Sequence, residues 1–185
     1  MWSEKLFLKV NEQIGKRPWL DKLMIFVARY LIFILFIIII YWGINFLNTE
    51  NFKFLMKLII TTLSFAIIFS WLTALVVRFH RPMAEMPGIK FLVRPHQTWK
   101  TFPSDHTLIS FSLVFVAIDS GADMFFSSVL ILLAFFIAIS RVYVGVHYPR
   151  DIVAGFVYAI IFSSLAYWLL ENISQPVYSL IINIL

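Results

Sequence analysis

Three polar blocks interrupt an otherwise apolar chain: Arg78-Phe79-His80-Arg81-Pro82, Phe102-Pro103-Ser104-Asp105-His106-Thr107, and the stretch from Ser140-Arg141 to Asp151. Their residue types suit the handling of a phosphate group. Arg81 and Arg141 each offer a forked, permanently charged set of donors to phosphoryl oxygens. Ser104 follows a proline and precedes an apolar run, so it is placed as a helix N-cap, and a helix N-terminus presents free backbone N–H groups to an anion. His147 lies four residues before Asp151, one turn away if a helix begins near Pro149. The carboxylate would then hold the Nδ1 proton and leave Nε2 free to attack. His106 is placed to protonate a departing oxygen. Each residue also has a plainer use: an arginine at a span end commonly snorkels, a serine can cap and do nothing more, and an aspartate can complement a helix dipole. What raises the set above those uses is that two His, two Arg, a Ser and an Asp are assigned to one face. His80 and His96 fit no role in this scheme.

The elements that must position these blocks are hydrophobic. Of 185 residues, 61% are hydrophobic and 14% charged, whereas a soluble domain is about half apolar and about a quarter charged. With a mean hydropathy of +0.89, this excludes an ordinary soluble globule and a disordered chain. The absence of cysteine excludes disulfides, thiolate metal sites and a cysteine nucleophile. The net charge of +5 on so apolar a chain fits anionic headgroups or a phosphorylated lipid rather than nucleic acid.

Crossing the hydrocarbon core takes about 20 apolar residues. Runs 23–47, 54–77, 124–144 and 152–170 qualify, whereas 107–118 is short for a complete span and 177–185 is too short to cross. Arg29 falls inside the first run near Lys22, where it could snorkel to the interface. The stretch Trp2 to Ile14 places Leu6, Val10 and Ile14 four apart with charges between, the pattern of a helix lying in the interface. Ahead of so long an apolar run, that stretch argues against a cleaved signal peptide. The expected fold is an all-α integral membrane bundle of about five to six transmembrane helices with an N-terminal interfacial helix, forming one domain over 1–185. Because the chain reverses at each span, the end of the second, the start of the third, the end of the fourth and the start of the fifth share one membrane face. Topology alone therefore gathers the three polar blocks.

At these residues the sequence resembles the type 2 phosphatidic acid phosphatase superfamily of membrane lipid phosphatases. Its pattern is Lys, six residues, Arg-Pro; then Pro-Ser-Gly-His; then Ser-Arg, five residues, His, three residues, Asp. The third part is complete in Ser140-Arg141, His147 and Asp151; the second reads Pro103-Ser104-Asp105-His106; the first keeps Arg81-Pro82 but has Ala74 where the lysine would stand. Pro-Ser-Asp-His with Gly145-x-His147-Tyr148-Pro149, and the Leu20-Asp21-x-Leu23-Met24 entry into the first span, look most like the bacitracin-resistance type of undecaprenyl-diphosphate phosphatase.

The resemblance implies a phosphohistidine mechanism without metal or other cofactor. His147 would be the nucleophile, Asp151 its orienter and His106 the general acid, with Arg81, Ser104 and Arg141 holding the phosphate. Arg78, one turn before Arg81, is expected to supply the missing lysine's charge. With Arg94 or Lys100 it would meet the second phosphate of a diphosphate. The expected partner is a polyprenyl or phospholipid phosphate in the bilayer, with no nucleic acid. The expected function is hydrolysis of undecaprenyl diphosphate to undecaprenyl phosphate and inorganic phosphate, with a phosphatidylglycerophosphate or other phospholipid phosphatase as the alternative. A small transporter or channel is the rival from another class, although no repeated half or glycine-broken pair of spans supports it. The resemblance implies an extracytoplasmic site, against the distribution of Lys and Arg.

Overall fold

The structure, a computed structural model, describes residues 2–94 and 99–184, with side chains through 180. Helix α1 (Trp2–Asn11) precedes two long helices, α2 (Pro18–Phe46) and α3 (Thr49–Val76). Pro18 stands at the first turn of α2, where its missing N–H costs nothing. Asn48 caps α3 by accepting from Asn51 N at 2.8 Å. After the short α4 (Pro82–Glu85) come α5 (Asp105–Asp119), α6 (Met124–Tyr143) and α7 (Pro149–Ser164). Asp123 caps α6 through Phe125 N and Phe126 N. Helix α8 (Ala166–Leu169), a π-helical turn Leu170–Ser174 and α9 (Gln175–Ile184) end the chain. No strand occurs among the described residues.

Helix α5 is the axis of the bundle. Its Phe111 packs edge-on against Phe135 of α6 and Phe156 of α7, with ring centroids 5.1 and 4.7 Å away. Leu35 and Ile39 of α2, Leu55 and Leu58 of α3, and Leu130 and Ala134 of α6 close the core around it. At 15 residues α5 is about 22 Å long, short of the ~30 Å hydrocarbon core. Being wrapped by neighbours, it buries Ser110 and Ser112 as well as leucine and phenylalanine. The outward faces of α2, α3 and α6 are apolar: Phe33, Ile37, Ile60 and Phe135 are all exposed, as a lipid-facing surface requires.

One expectation needs correcting. The run 152–170 is not one straight helix, because α7 and the segment after it are bent by 57° at Leu165. The i−4 ladder loosens again in the π-helical turn, just before Pro176, which has no N–H to donate. By length and composition α2, α3 and α6 can each span a membrane, and the bent pair makes a fourth. Along the Leu6, Val10 and Ile14 stripe of α1 and the turn after it, Leu6 is exposed, Val10 is partly buried against Phe7 and Tyr148, and Ile14 is buried. The buried face of α1 is Ser3, Phe7 and Asn11, because polar partners decide it. Asn11 pairs with the backbone of Lys90 in both directions, at 2.6 and 3.1 Å, and Ser3 Oγ accepts from Arg150 N at 3.1 Å. Phe7 meets Tyr148 edge-on at 5.3 Å, and Leu6 is left outward.

Candidate active site

The loop between α6 and α7 carries His147, which is 3% exposed. Gly145 shapes this loop: its φ is +85°, and a Cβ there would stand 2.7 Å from Lys90 O. The segment from Lys90 onward can therefore lie directly against the loop, with Leu92 N donating to Val144 O at 3.0 Å.

His147 Nδ1 is 3.2 Å from Thr101 Oγ1 and 3.4 Å from Asp151 Oδ2. The Thr101 hydroxyl gives its proton to Asp151 Oδ2 at 2.6 Å, so toward the imidazole it is an acceptor. That assigns the proton to Nδ1 and the free lone pair to Nε2. Asp151 is fully buried; its Oδ2 also accepts from Tyr148 N at 2.9 Å, and its Oδ1 lies 3.7 Å from Arg150 Nε. Burial, then the charges of Arg81 and Arg141, hold the His147 imidazole well below its ordinary range. It is uncharged at neutral pH, the form a nucleophile needs.

His147 Nε2 faces the guanidinium of Arg81 at 3.4 Å, which is itself steadied by Val146 O at 2.9 Å. Arg141 is tied to α2 by donating to Ala28 O at 2.8 Å. The Nε atoms of both arginines are buried with no hydrogen-bond partner among the described residues. Orphaned cationic donors are costly, and an anion placed between them would satisfy both. His106, in the first turn of α5, lines the same cavity.

The cavity holds about 990 Å³. Its charged end is formed by Arg81, Lys100, Asp105, His106, Arg141 and His147. From there the lining becomes apolar turn by turn, through Ile109 and Leu113 on α5, and through Ile32, Phe33 and Phe36 on α2. A phosphate at one end and a hydrocarbon tail at the other match this gradient. Among the described residues no group of three His, Asp or Glu side chains could hold a metal ion.

The structure gathers His147, His106, Asp151, Arg81 and Arg141, but not the other two expected residues. Ser104 sits at the N-cap position, yet its hydroxyl makes no cap bond and accepts from Thr107 Oγ1 at 3.2 Å. It is fully buried and does not line the cavity. Ser104 N donates to Asp151 O at 3.0 Å and joins the second block to the third. Arg78 lies beyond the end of α3, exposed and outside the cavity lining. The cation at this wall of the cavity is Lys100, whose buried amine pairs with both carboxylate oxygens of Asp105 and donates to Ser70 Oγ at 3.0 Å. Ser70 and the buried Ala74 are one turn apart on α3, so the amine reaches the α3 wall from the opposite loop. The same pair answers the charge of Asp105. His80 is exposed, and His96 lies outside the described residues. Sequence reasoning missed Thr101, and its one signal was a polar Lys-Thr pair between Trp99 and Phe102.

The PAP2 superfamily pattern matches residues 54–175, which contain all three blocks. The chain belongs to the PAP2 superfamily. It is 33% identical over 155 residues to YbjG of Escherichia coli (strain K12), provisionally named an undecaprenyl-diphosphatase, covering 81% of this chain and 73% of that one. BcrC of Bacillus subtilis (strain 168), named undecaprenyl-diphosphatase, is 27% identical, with coverages of 89% and 82%. BcrC of Bacillus licheniformis, named a bacitracin transport permease protein, is 26% identical, with coverages of 91% and 80%. Among solved structures, Aquifex aeolicus LpxE superposes with a TM-score of 0.68 at 27% identity, covering 88% of this chain and 93% of that one. The chain is thus a PAP2 membrane phosphatase.

Proposed function

We propose that this PAP2 protein hydrolyses undecaprenyl diphosphate to undecaprenyl phosphate and inorganic phosphate, without a metal. The observation that carries the proposal is the pair of buried Arg81 and Arg141 Nε atoms, without a hydrogen-bond partner among the described residues, at the charged end of a cavity that His147 also lines and that turns apolar. The names of YbjG and of Bacillus subtilis BcrC support the choice of substrate.

In the first step Nε2 bonds to the terminal phosphorus while the bridging P–O bond breaks. The bond pair leaves with the bridging oxygen, which takes a proton from His106 and departs as the lipid monophosphate. In the second step water attacks the phosphohistidine, the P–N pair returns to Nε2, and His106 accepts the water proton. Arg81 and Arg141 hold the phosphoryl oxygens throughout, and Thr101 and Asp151 hold the Nδ1 proton. The active face is placed outside the cytoplasm, where a carrier lipid that has delivered its cargo emerges.

The test is phosphate release by purified protein from a panel of lipid mono- and diphosphates in the presence of chelator. Fastest release from polyprenyl diphosphate, unchanged by chelator, is the expected result. Preference for a phospholipid monophosphate would shift the assignment to that substrate class. No release from any lipid phosphate would favour the transport role in the Bacillus licheniformis relative's name.

A further inference from the structure

We infer that Arg29 and Arg94 form a second phosphate subsite at the cavity mouth, holding the phosphate that stays on the lipid. The inference rests on the diphosphate reading above and deepens it. In a diphosphate the transferred group lies against His147, and the inner phosphate must lie between that group and the hydrocarbon tail. A residue that binds it has to stand where the cavity lining changes from charged to apolar.

Arg29 occupies that junction. It follows Ala28, whose carbonyl holds Arg141, and it precedes Ile32, Phe33 and Phe36, which form the apolar wall on the same helix. Its exposed side chain lines the cavity. Arg94 reaches the cavity from the long loop. That loop is pinned just before it: Leu92 N donates to Val144 O at 3.0 Å, and Leu92 and Val93 pack on Ala28, Val144 and Val146. The same three residues thus fix both arginines and the histidine loop relative to one another.

Charge separates these two from the other cations. Lys100 is spent on Asp105, and Arg81 and Arg141 surround the nucleophile. Arg29 and Arg94 make no hydrogen bond or ion pair with the described residues and are exposed at the mouth. Asp105 is the single acid among the cavity-lining residues, against Arg29, Arg81, Arg94, Lys100 and Arg141. A monophosphate needs fewer of those cations than a diphosphate does.

The experiment measures kcat/KM for farnesyl diphosphate and farnesyl monophosphate in detergent, using the full chain and Arg29→Gln, Arg94→Gln and Arg29→Lys. Loss of a charged hydrogen-bond donor predicts a roughly tenfold to hundredfold fall on the diphosphate for each Gln variant. The fall on the monophosphate should stay within about threefold, and Arg29→Lys should recover part of the diphosphate rate, since it keeps the charge without the fork. Equal loss on both substrates, or no loss on either, with an active wild type overturns the subsite alone. A wild type that cleaves the monophosphate and not the diphosphate overturns the substrate reading and the subsite with it. Both arginines are exposed, and matching thermal midpoints for the variants would exclude misfolding as the cause of a selective loss.

Discussion

At the residue scale the site is a histidine whose two nitrogens have been given different jobs. His147→Gln should abolish phosphate release, since no other cavity side chain can form the intermediate at that position; loss of a nucleophile costs about a millionfold in the best-studied protease series. Wild type incubated with labelled diphosphate and quenched in alkaline detergent should carry base-stable, acid-labile label, and the variant should carry none. Thr101→Val is the subtler test. It keeps the shape but removes the hydroxyl between Nδ1 and Asp151, leaving two buried groups short of a partner at a cost of about 1–3 kcal/mol. That corresponds to a fall of roughly five- to hundredfold, expected in kcat with KM nearly unchanged; an unchanged kcat would show that Asp151 orients the ring without the hydroxyl. The histidines, Asp151 and the two arginines were legible because their spacing is tied to helix turns and to fixed chain reversals. Thr101 and Lys100 were not, because they come from an irregular loop whose path is set by what it packs against. Ser104 took the N-cap position that the sequence gives it without the hydroxyl bond, because a capping position does not oblige the hydroxyl to make it.

At the scale of elements, close approach at two glycines lets the loops and helices bring the blocks together. A Cβ on Gly155 would lie 2.7 Å from Ser104 O, so α7 can press its first turns onto the start of α5. Gly145 does the same for the segment at Lys90 and also needs φ +85°, whereas Gly88 has φ +84° with nothing within 4 Å of a built Cβ. The two loop glycines therefore form a matched pair. Gly88→Ala carries only the left-handed penalty, about 1–2 kcal/mol. Gly145→Ala adds a clash with backbone and displaces the loop bearing His147. Gly88→Ala should lower the thermal midpoint modestly and keep kcat; Gly145→Ala should lower the midpoint further and cut kcat as well. Equal effects from both would mean the close contact at Lys90 does not position the histidine. The long apolar helices could be read from composition because lipid exposure demands it residue by residue. The packed face of α1 could not, since it follows hydrogen bonds to Lys90 and Arg150 rather than an apolar stripe. The bend at Leu165 likewise lies in a run whose hydropathy is uniform.

At the scale of the whole molecule, one buried neutral histidine ties stability to pH. Because the folded imidazole of His147 titrates well below 6.5, the unfolded chain binds a proton below about pH 6.5 that the fold refuses. That term is absent above about 6.5 and costs up to about 1.4 kcal/mol per pH unit below it. Between pH 7.5 and 5.5 the thermal midpoint of wild type should thus fall more than that of His147→Gln, and parallel falls would mean the imidazole charges inside the fold. The orientation of the molecule is the harder question, because two physical arguments point opposite ways. The N-terminus shares a face with the site: α1 docks on the histidine loop, and Tyr143 OH donates to Asp21 Oδ1 at 2.7 Å near the start of α2. That face carries thirteen Lys and Arg residues, whereas the other has Lys53 and Lys57. The positive-inside bias would therefore put the site in the cytoplasm. Arg29, Arg81, Arg94, Lys100 and Arg141 are weak witnesses, however. All five line the phosphate cavity, and Lys100 is neutralised by Asp105. Without the five, the bias narrows to eight against two. The proposed function argues for the outer face, since a site for a spent carrier must meet the carrier where it is released. The chain has no cysteine, so single cysteines at Lys16, beside the docked α1, and at Lys53, on the opposite end, report directly. In intact cells an impermeant thiol reagent should label Lys16→Cys and spare Lys53→Cys until lysis; the reverse pattern would place the active face in the cytoplasm.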